Sequence, residues 1–132
     1  MDIDFLSVGE VIELHREAIR TYGGTSGIRD LGRLEAAVGA PQSGSGDAYY
    51  HEDVWEMAAA YLFHIVQGHP FIDGNKRAGL MAANAFLRMN DLDVIAEEDA
   101  YADLVLAIAA GSKGKSEAAT FFRQFTTPVS QA

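Results

Sequence analysis

Apolar residues recur every three or four positions along most of this chain, and no segment alternates apolar and polar residues for long. The first helical segment follows Ser7, where Glu10 stands three residues later and completes a capping box. Pro41 and Gly68 each follow an apolar segment at a point where a helix is expected to end. The pattern predicts an all-α bundle of about six helices, at residues 8–22, 30–38, 53–67, 75–89, 97–110 and 116–125.

The fourth predicted helix is rich in alanine, at positions 78, 82, 83 and 85. Small side chains let neighbouring helices approach closely, so we expect this helix to be central in the bundle. Ser116 is the expected N-cap of the sixth helix, and residues 92–94 are expected to be briefly extended. The length suits a single domain over residues 1–126, with residues 127–132 as a frayed tail.

The amino-acid composition and the net charge exclude several kinds of site and partner. Hydrophobic residues make up 48% of the 132 positions, enough for a packed core, and there is no cysteine for a disulfide or a thiolate metal site. The net charge of −9 argues against direct nucleic-acid binding, which depends on neutralising phosphates with Lys and Arg. No apolar run approaches the roughly 20 residues that a membrane span needs, and the acidic start lacks the basic residues of a secretory signal. We therefore expect a cytoplasmic protein with no membrane partner.

The run His69–Arg77 concentrates reactive side chains between two predicted helices. A helix is expected to begin within it, so that its first N–H groups and the positive end of its dipole point at any bound group. Lys76 and Arg77 would lie in the first turn of that helix, where cations are unfavourable unless an anion is nearby. This misfit predicts a phosphate site, because Arg can clamp a phosphate through two N–H groups while Lys supplies a point charge.

The remaining residues of the run have alternative interpretations. His69 is either a loop histidine that caps a helix carbonyl or a general base, since histidine titrates near neutral pH. Asp73 either caps the fourth helix or binds Mg²⁺. Gly74 provides a positive φ or a close approach to a phosphate. Asn75 caps the helix or donates its amide to a phosphate.

The run reads His-Pro-Phe-Ile-Asp-Gly-Asn-Lys-Arg and resembles the signature H-x-F-x-[D/E]-G-N-[G/K]-R of the Fic/Doc family. The eighth position of the run is Lys76. In this respect the run is similar to that of the Doc branch of the family, the death-on-curing toxins. Looser similarity in the segments 22–30 and 34–42, together with the length, extends the resemblance over nearly the whole chain.

This resemblance implies a helical Fic/Doc fold with an active-site loop before the central helix. It implies that His69 is the catalytic base and Asp73 the metal ligand, with ATP phosphates bound by the residues that follow, Gly74, Asn75, Lys76 and Arg77. It also implies ATP and Mg²⁺ as cofactors and transfer of the γ-phosphate to a Ser or Thr hydroxyl of a protein, of the type of translation elongation factor Tu. The breaker-rich residues 41–50 are either an ordinary surface loop or, as in the family, a region beside the active site that docks the target.

A separate antitoxin is the expected partner. Some relatives restrain themselves with an inhibitory helix that carries the motif [S/T]-x-x-x-E-[G/N], and this chain has no match to it. An unrestrained ATP-binding loop would harm its own cell, which implies control by another molecule.

Two alternatives stay open. An adenylyltransferase on the same site would transfer AMP, although Lys76 replaces the small residue that leaves room for an α-phosphate, and Leu80 stands where that branch has a second arginine. A non-catalytic helical binding module would keep the fold as a platform for a partner. The intact His69, Asp73 and Arg77 argue against this second alternative.

Overall fold

The computed structural model describes residues 2–45 and 48–129, which form a helical protein with two small pairs of antiparallel strands. The predicted helical bundle is confirmed, and the helix boundaries fall within one residue of those expected. No helix in these two ranges is long and apolar enough to cross a bilayer. The helices are α1 Val8–Tyr22, α2 Leu31–Gly39, α3 Val54–Gly68, α4 Asn75–Met89, α5 Glu98–Ala109 and α6 Lys115–Gln124, with a 3₁₀ turn at Ala40–Gln42; the strands are β1 Gly44–Ser45, β2 Ala48–Tyr49, β3 Leu92–Val94 and β4 Thr126–Pro128.

Helices α3 and α4 run antiparallel at the centre of the bundle. The ring of Tyr61 in the middle of α3 lies 5.0 Å from the ring of Phe86 near the end of α4, whereas Val66 near the end of α3 lies against Gly79 near the start of α4. Helix α1 packs on α4, while α2 and α6 pack on α3. The six-residue connection between α3 and α4 therefore lies at one end of the bundle, carried by its two most central helices.

Gly79 is the point of closest approach between these two helices. A Cβ atom at this position would lie 2.8 Å from Val66 Cγ2 and 3.3 Å from the carbonyl oxygen of Leu62. Both neighbours are fully buried, so neither has free space into which it could move. The two helices can pack this closely only because position 79 has no side chain.

We expect Gly79→Ala to lower the free energy of unfolding by about 1 kcal/mol, because overpacking of about 1–3 kcal/mol exceeds the roughly 1 kcal/mol gained in helix propensity. Gly9→Ala is the matched control, since Gly9 is an exposed helical glycine whose added Cβ would meet nothing nearer than 3.9 Å. That control should be neutral or stabilise the protein by up to about 1 kcal/mol. Urea denaturation measures both, and equal effects of the two substitutions would contradict the close approach.

Capping side chains set the starts of the helices. The Ser7 and Glu10 side chains form the predicted capping box of α1, and Asp53 accepts a hydrogen bond from Glu56 N–H at the start of α3. The expectation for α6 is wrong, because Gly114 and not Ser116 is its N-cap residue. There the Glu117 carboxylate accepts the Gly114 N–H at 3.2 Å, so the helix begins one residue earlier than expected, at Lys115.

The chain after α6 returns to the bundle. Strand β4 pairs antiparallel with β3, with Val94 opposite Thr126, and the indole Nε1 of Trp55 donates a hydrogen bond to the Thr126 hydroxyl at 2.8 Å. The expected extended segment at residues 92–94 is confirmed as β3. The expected fraying of the tail does not apply to residues 127–128, which are paired, and residues 130–132 lie outside the described part.

The breaker-rich stretch at residues 41–50 contains the two strands β1 and β2, and residues 46–47 within it lie outside the described part. Tyr49 of β2 packs edge-on against Phe5, which stacks on Phe86. Phe86 lies roughly 16 Å along α4 from its first residue, at a rise of about 1.5 Å per residue. Strand β2 is therefore attached near the C-terminal end of α4, whereas His69 lies before the N-terminal end of this helix. These aromatic contacts do not place β2 beside His69.

Candidate active site

The connection between α3 and α4, residues 69–74, is held by the segment between α1 and α2. The Pro70 carbonyl oxygen accepts the N–H groups of Arg29 and Asp30, at 2.8 and 3.1 Å, and the Ile72 N–H donates to the Gly27 carbonyl at 3.1 Å. These bonds make a short antiparallel bridge. We call residues 69–74 the reaction loop. Residues 70–72, which are half of this loop, lie in the stretch that is hydrogen-bonded to residues 27–30.

His69 lies at the first position of the reaction loop and is exposed. Its backbone is left-handed, with φ 48° and ψ 53°, a conformation that costs a non-glycine residue about 1–3 kcal/mol. The Arg29 Nε donates to the His69 carbonyl at 2.7 Å. The Gly68 carbonyl, one residue earlier, accepts from both Arg29 and Arg33, at 3.2 and 3.1 Å. Two cations thus hold the C-terminal end of α3 in a turn that leaves the imidazole exposed to solvent.

Asn75 holds the middle of the loop. Its Oδ1 accepts the Phe71 N–H at 2.9 Å, and its Nδ2 donates to the Phe71 carbonyl at 3.0 Å. The side-chain amide therefore binds the loop backbone on both sides. The structure does not place Asn75 as the helix cap, since the N-cap residue is Gly74, with a φ of 76° as expected for a glycine there.

The Asp73 carboxylate is exposed and is oriented by two backbone groups. Its Oδ1 accepts the Gly74 N–H at 2.8 Å and its Oδ2 accepts the Thr25 N–H at 3.1 Å. Hydrogen bonds from Thr25 and then Gly74 stabilise the charged form and lower the pKa of the Asp73 carboxyl. Asp73 is therefore an ionised carboxylate at neutral pH. It is not the N-cap of α4, because Gly74 occupies that position.

The donor set at Asp73 fits a magnesium ion that is shared with a nucleotide. The carboxylate keeps lone pairs that face solvent, and Mg²⁺ commonly binds to one or two carboxylates plus substrate phosphates and water. Within residues 2–45 and 48–129, no group of three His, Asp or Glu side chains could hold a metal by itself. Asp73 would thus be the protein ligand, and phosphate oxygens would have to supply others.

The N-terminus of α4 presents free donors to the same region. The first hydrogen bond within the helix runs from Ala78 N–H to the Gly74 carbonyl, at 2.9 Å, and no side chain caps this end in the described part of the chain. Lys76 and Arg77 are exposed and take part in none of the ion pairs among those residues. The Arg77 guanidinium instead lies 3.8 Å above the ring of Tyr22. Two exposed cations in the first turn of a helix form the arrangement that the sequence predicts for a phosphate site.

Comparison with known proteins relates most of the chain to one family. The model of the Fic/DOC family matches residues 5–87, which is more than half of the chain. A protein named Protein kinase doc, from Escherichia phage P1, is 38% identical over 121 residues, covering 90% of this chain and 93% of that protein. Toxin Doc from Mycolicibacterium smegmatis is 36% identical over 91 residues, covering 65% of this chain and 70% of that protein.

The chain belongs to the Fic/Doc family. The resemblance identified from the signature is thereby confirmed.

One residue at the Fic/Doc loop was not found by sequence reasoning. His15 on α1 is 4% exposed, and its ring stacks on Phe71 with 3.8 Å between centroids and 2° between planes. Its Nε2 lies 2.8 Å from the carbonyl oxygen of Asp73. The sequence shows only that His15 occupies an apolar position of an amphipathic helix, so no motif links it to a loop that begins 54 residues later.

We expect the Asp73 carboxyl to titrate at lower pH in the folded protein than in the urea-unfolded chain, because the Thr25 and Gly74 N–H groups bind its charged form. A lowered pKa means that these bonds stabilise the fold above the unfolded pKa and that this contribution is lost as the pH falls through the folded pKa. The carboxyl ¹³C chemical shift, followed against pH in both states, measures the difference. Equal midpoints would show that the two hydrogen bonds are absent in solution.

Proposed function

We propose that this Fic/Doc protein is a Doc-type toxin that transfers the γ-phosphate of ATP to a Ser or Thr hydroxyl of a protein target. The observation that carries the proposal is that one loop holds an exposed histidine in a strained backbone conformation and leads into a helix whose N-terminus has no side-chain cap among the described residues and carries two exposed cations. Strained non-glycine residues concentrate at functional sites, where the surrounding structure supports them. The similarity to the phage P1 Protein kinase doc favours phosphoryl transfer.

Each residue then has a definite role. His69 accepts the proton of the target hydroxyl as that oxygen forms its bond to the γ-phosphorus. The bond between the γ-phosphorus and the oxygen that bridges to the β-phosphate breaks, and ADP leaves with that oxygen. Lys76, Arg77 and the first N–H groups of α4 hold the phosphates and stabilise their charge. Asp73 would hold Mg²⁺, which when bound neutralises phosphate charge.

Positioning by the loop accounts for most of the catalysis in this scheme. Phosphoryl transfer requires little covalent chemistry from the protein, so its rate depends on alignment and on electrostatic stabilisation. Gly74 lets the chain enter α4 directly after Asp73, and Asn75 fixes Phe71 and with it the direction of the loop. The target protein, for which we propose a translation factor such as elongation factor Tu, would supply the hydroxyl.

Incubation with [γ-³²P]ATP and with [α-³²P]ATP, each with Mg²⁺ and a bacterial extract, tests the reaction. We expect label on a protein from the γ-position alone. Label from the α-position would instead support AMP transfer, and no label from either would support a binding module. Purified elongation factor Tu in place of the extract tests the target.

His69→Asn is the sharpest variant for the base, because asparagine tolerates the left-handed backbone but has no nitrogen that titrates near neutral pH. We expect the transfer rate to fall by about 10²–10⁴-fold, with an unchanged melting temperature. Leu106→Met, at an exposed residue of α5 outside the reaction loop, is a control that should keep the wild-type rate. A His69→Asn protein with wild-type activity would rule out the role of His69.

Expression of this chain without a partner should arrest bacterial growth, because the sequence carries no match to the inhibitory motif of self-restrained relatives. We propose a separate antitoxin whose disordered segment folds on the toxin. The His69→Asn variant, expressed at the same level, should relieve the arrest. Unimpaired growth of cells that express the wild-type chain, together with confirmed transfer activity in vitro, would contradict the need for an antitoxin.

A further inference from the structure

The peptide group between Asp73 and Gly74 is held at both of its polar atoms. Its carbonyl oxygen lies 2.8 Å from His15 Nε2, and its N–H donates to the Asp73 carboxylate at 2.8 Å. Rotation of this peptide group would break both hydrogen bonds together. The orientation of the carboxylate is thus coupled to a histidine on another helix.

Gly74 makes an external support necessary at this point. A glycine adopts positive and negative φ with similar ease, so residue 74 offers little resistance to a flip of the peptide group that precedes it. The left-handed φ of 76° at Gly74 is also the conformation from which α4 begins. The groups that hold the 73–74 peptide therefore decide the orientation of the Asp73 carboxylate at the point where α4 begins.

His15 is suited to this support by its burial and by its packing. It is 4% exposed, and its ring lies parallel to that of Phe71 at 3.8 Å, which fixes the ring plane. An added Cβ on Gly74 would lie 3.5 Å from His15 Nε2 and 3.2 Å from Ile19 Cδ1, one turn further along α1. The surface of α1 is therefore in close contact with the loop, and His15 supplies the polar group in that contact.

We propose that His15 is a positioning residue for the reaction: its Nε2–H donates to the Asp73 carbonyl, locks the 73–74 peptide, and so holds the Asp73 carboxylate in the orientation that suits a Mg²⁺ ion bound with the nucleotide. This proposal rests on the proposed phosphoryl transfer. His15 does not touch the reacting atoms, and it acts through Asp73 and Gly74.

Three substitutions separate the hydrogen bond from packing. His15→Gln keeps an N–H donor the same number of bonds from the backbone, whereas His15→Phe keeps a ring against Phe71 but has no donor. His15→Leu lacks both and replaces His15→Phe if the larger ring prevents folding. We expect the transfer rate of His15→Gln to stay within about threefold of wild type. The rate of His15→Phe should fall by about tenfold or more, since displaced catalytic groups commonly cost that much, and more Mg²⁺ should be needed for half-maximal rate.

Amide resonances provide a readout that does not depend on the activity. The Gly74 and Thr25 N–H groups both donate to the Asp73 carboxylate, so their ¹H chemical shifts should change in His15→Phe and stay near wild type in His15→Gln. Amides of α6 should not move in either protein. Wild-type Gly74 and Thr25 shifts in His15→Phe, or equal changes in the Gln and Phe variants, would overturn the proposal. If the wild-type protein transfers no γ-phosphate, the proposed function fails, while these spectra still decide the role of His15.

Discussion

The backbone bonds between the reaction loop and the segment that precedes α2 are the constraint on which the site depends. The Pro70 carbonyl accepts two N–H groups from residues 29 and 30, and the Ile72 N–H returns to Gly27. Without this bridge, a six-residue connection that starts with a left-handed histidine and ends with a left-handed glycine would have many conformations of similar energy. The side-chain bonds of Asn75 and the stack of His15 on Phe71 add to a geometry that the backbone has already selected.

The same loop separates two helix ends of opposite polarity. The carbonyls of Gly68 and His69, at the C-terminal end of α3, accept hydrogen bonds from two arginines. Arg29 lies between α1 and α2, and Arg33 lies on α2. In the described residues, no side chain caps the first N–H groups of α4, and Lys76 and Arg77 beside them form no ion pair. In a chain with a net charge of −9, the start of α4 is a region where an anion is favoured, and it is joined to the exposed His69 by the reaction loop. The local electrostatics therefore favours an anion at this place in an otherwise acidic protein.

Helix α1 has two functions in the molecule. Its apolar residues, such as Val11 and Ala18, belong to the buried core, whereas His15 contacts Asp73 of the reaction loop and Tyr22 contacts Arg77 in the first turn of α4. Their spacing of seven residues places both on one face, two turns apart. The support of the site and the stability of the bundle consequently come from the same helix, which couples the geometry of the loop to the packing of the core.

The sequence by itself determined the six helices and the capping box at Ser7, and it predicted the run His69–Arg77 as the place of the chemistry. These are local properties: apolar periodicity, caps and turn residues act within a few positions, and the mismatch of two cations with a helix dipole is visible in the order of residues.

Only the tertiary structure decided how the reaction loop is held. Nothing local indicates that Arg29 binds the end of α3, that the Asn75 amide holds Phe71 rather than capping α4, or that residues 127–128 pair with β3. His15 is the clearest example, because its position on α1 is that of any core residue until folding brings it to the Asp73 carbonyl. The physical reason is that hydrogen bonds between distant segments depend on the three-dimensional approach of those segments, which no periodicity or spacing in the chain encodes directly.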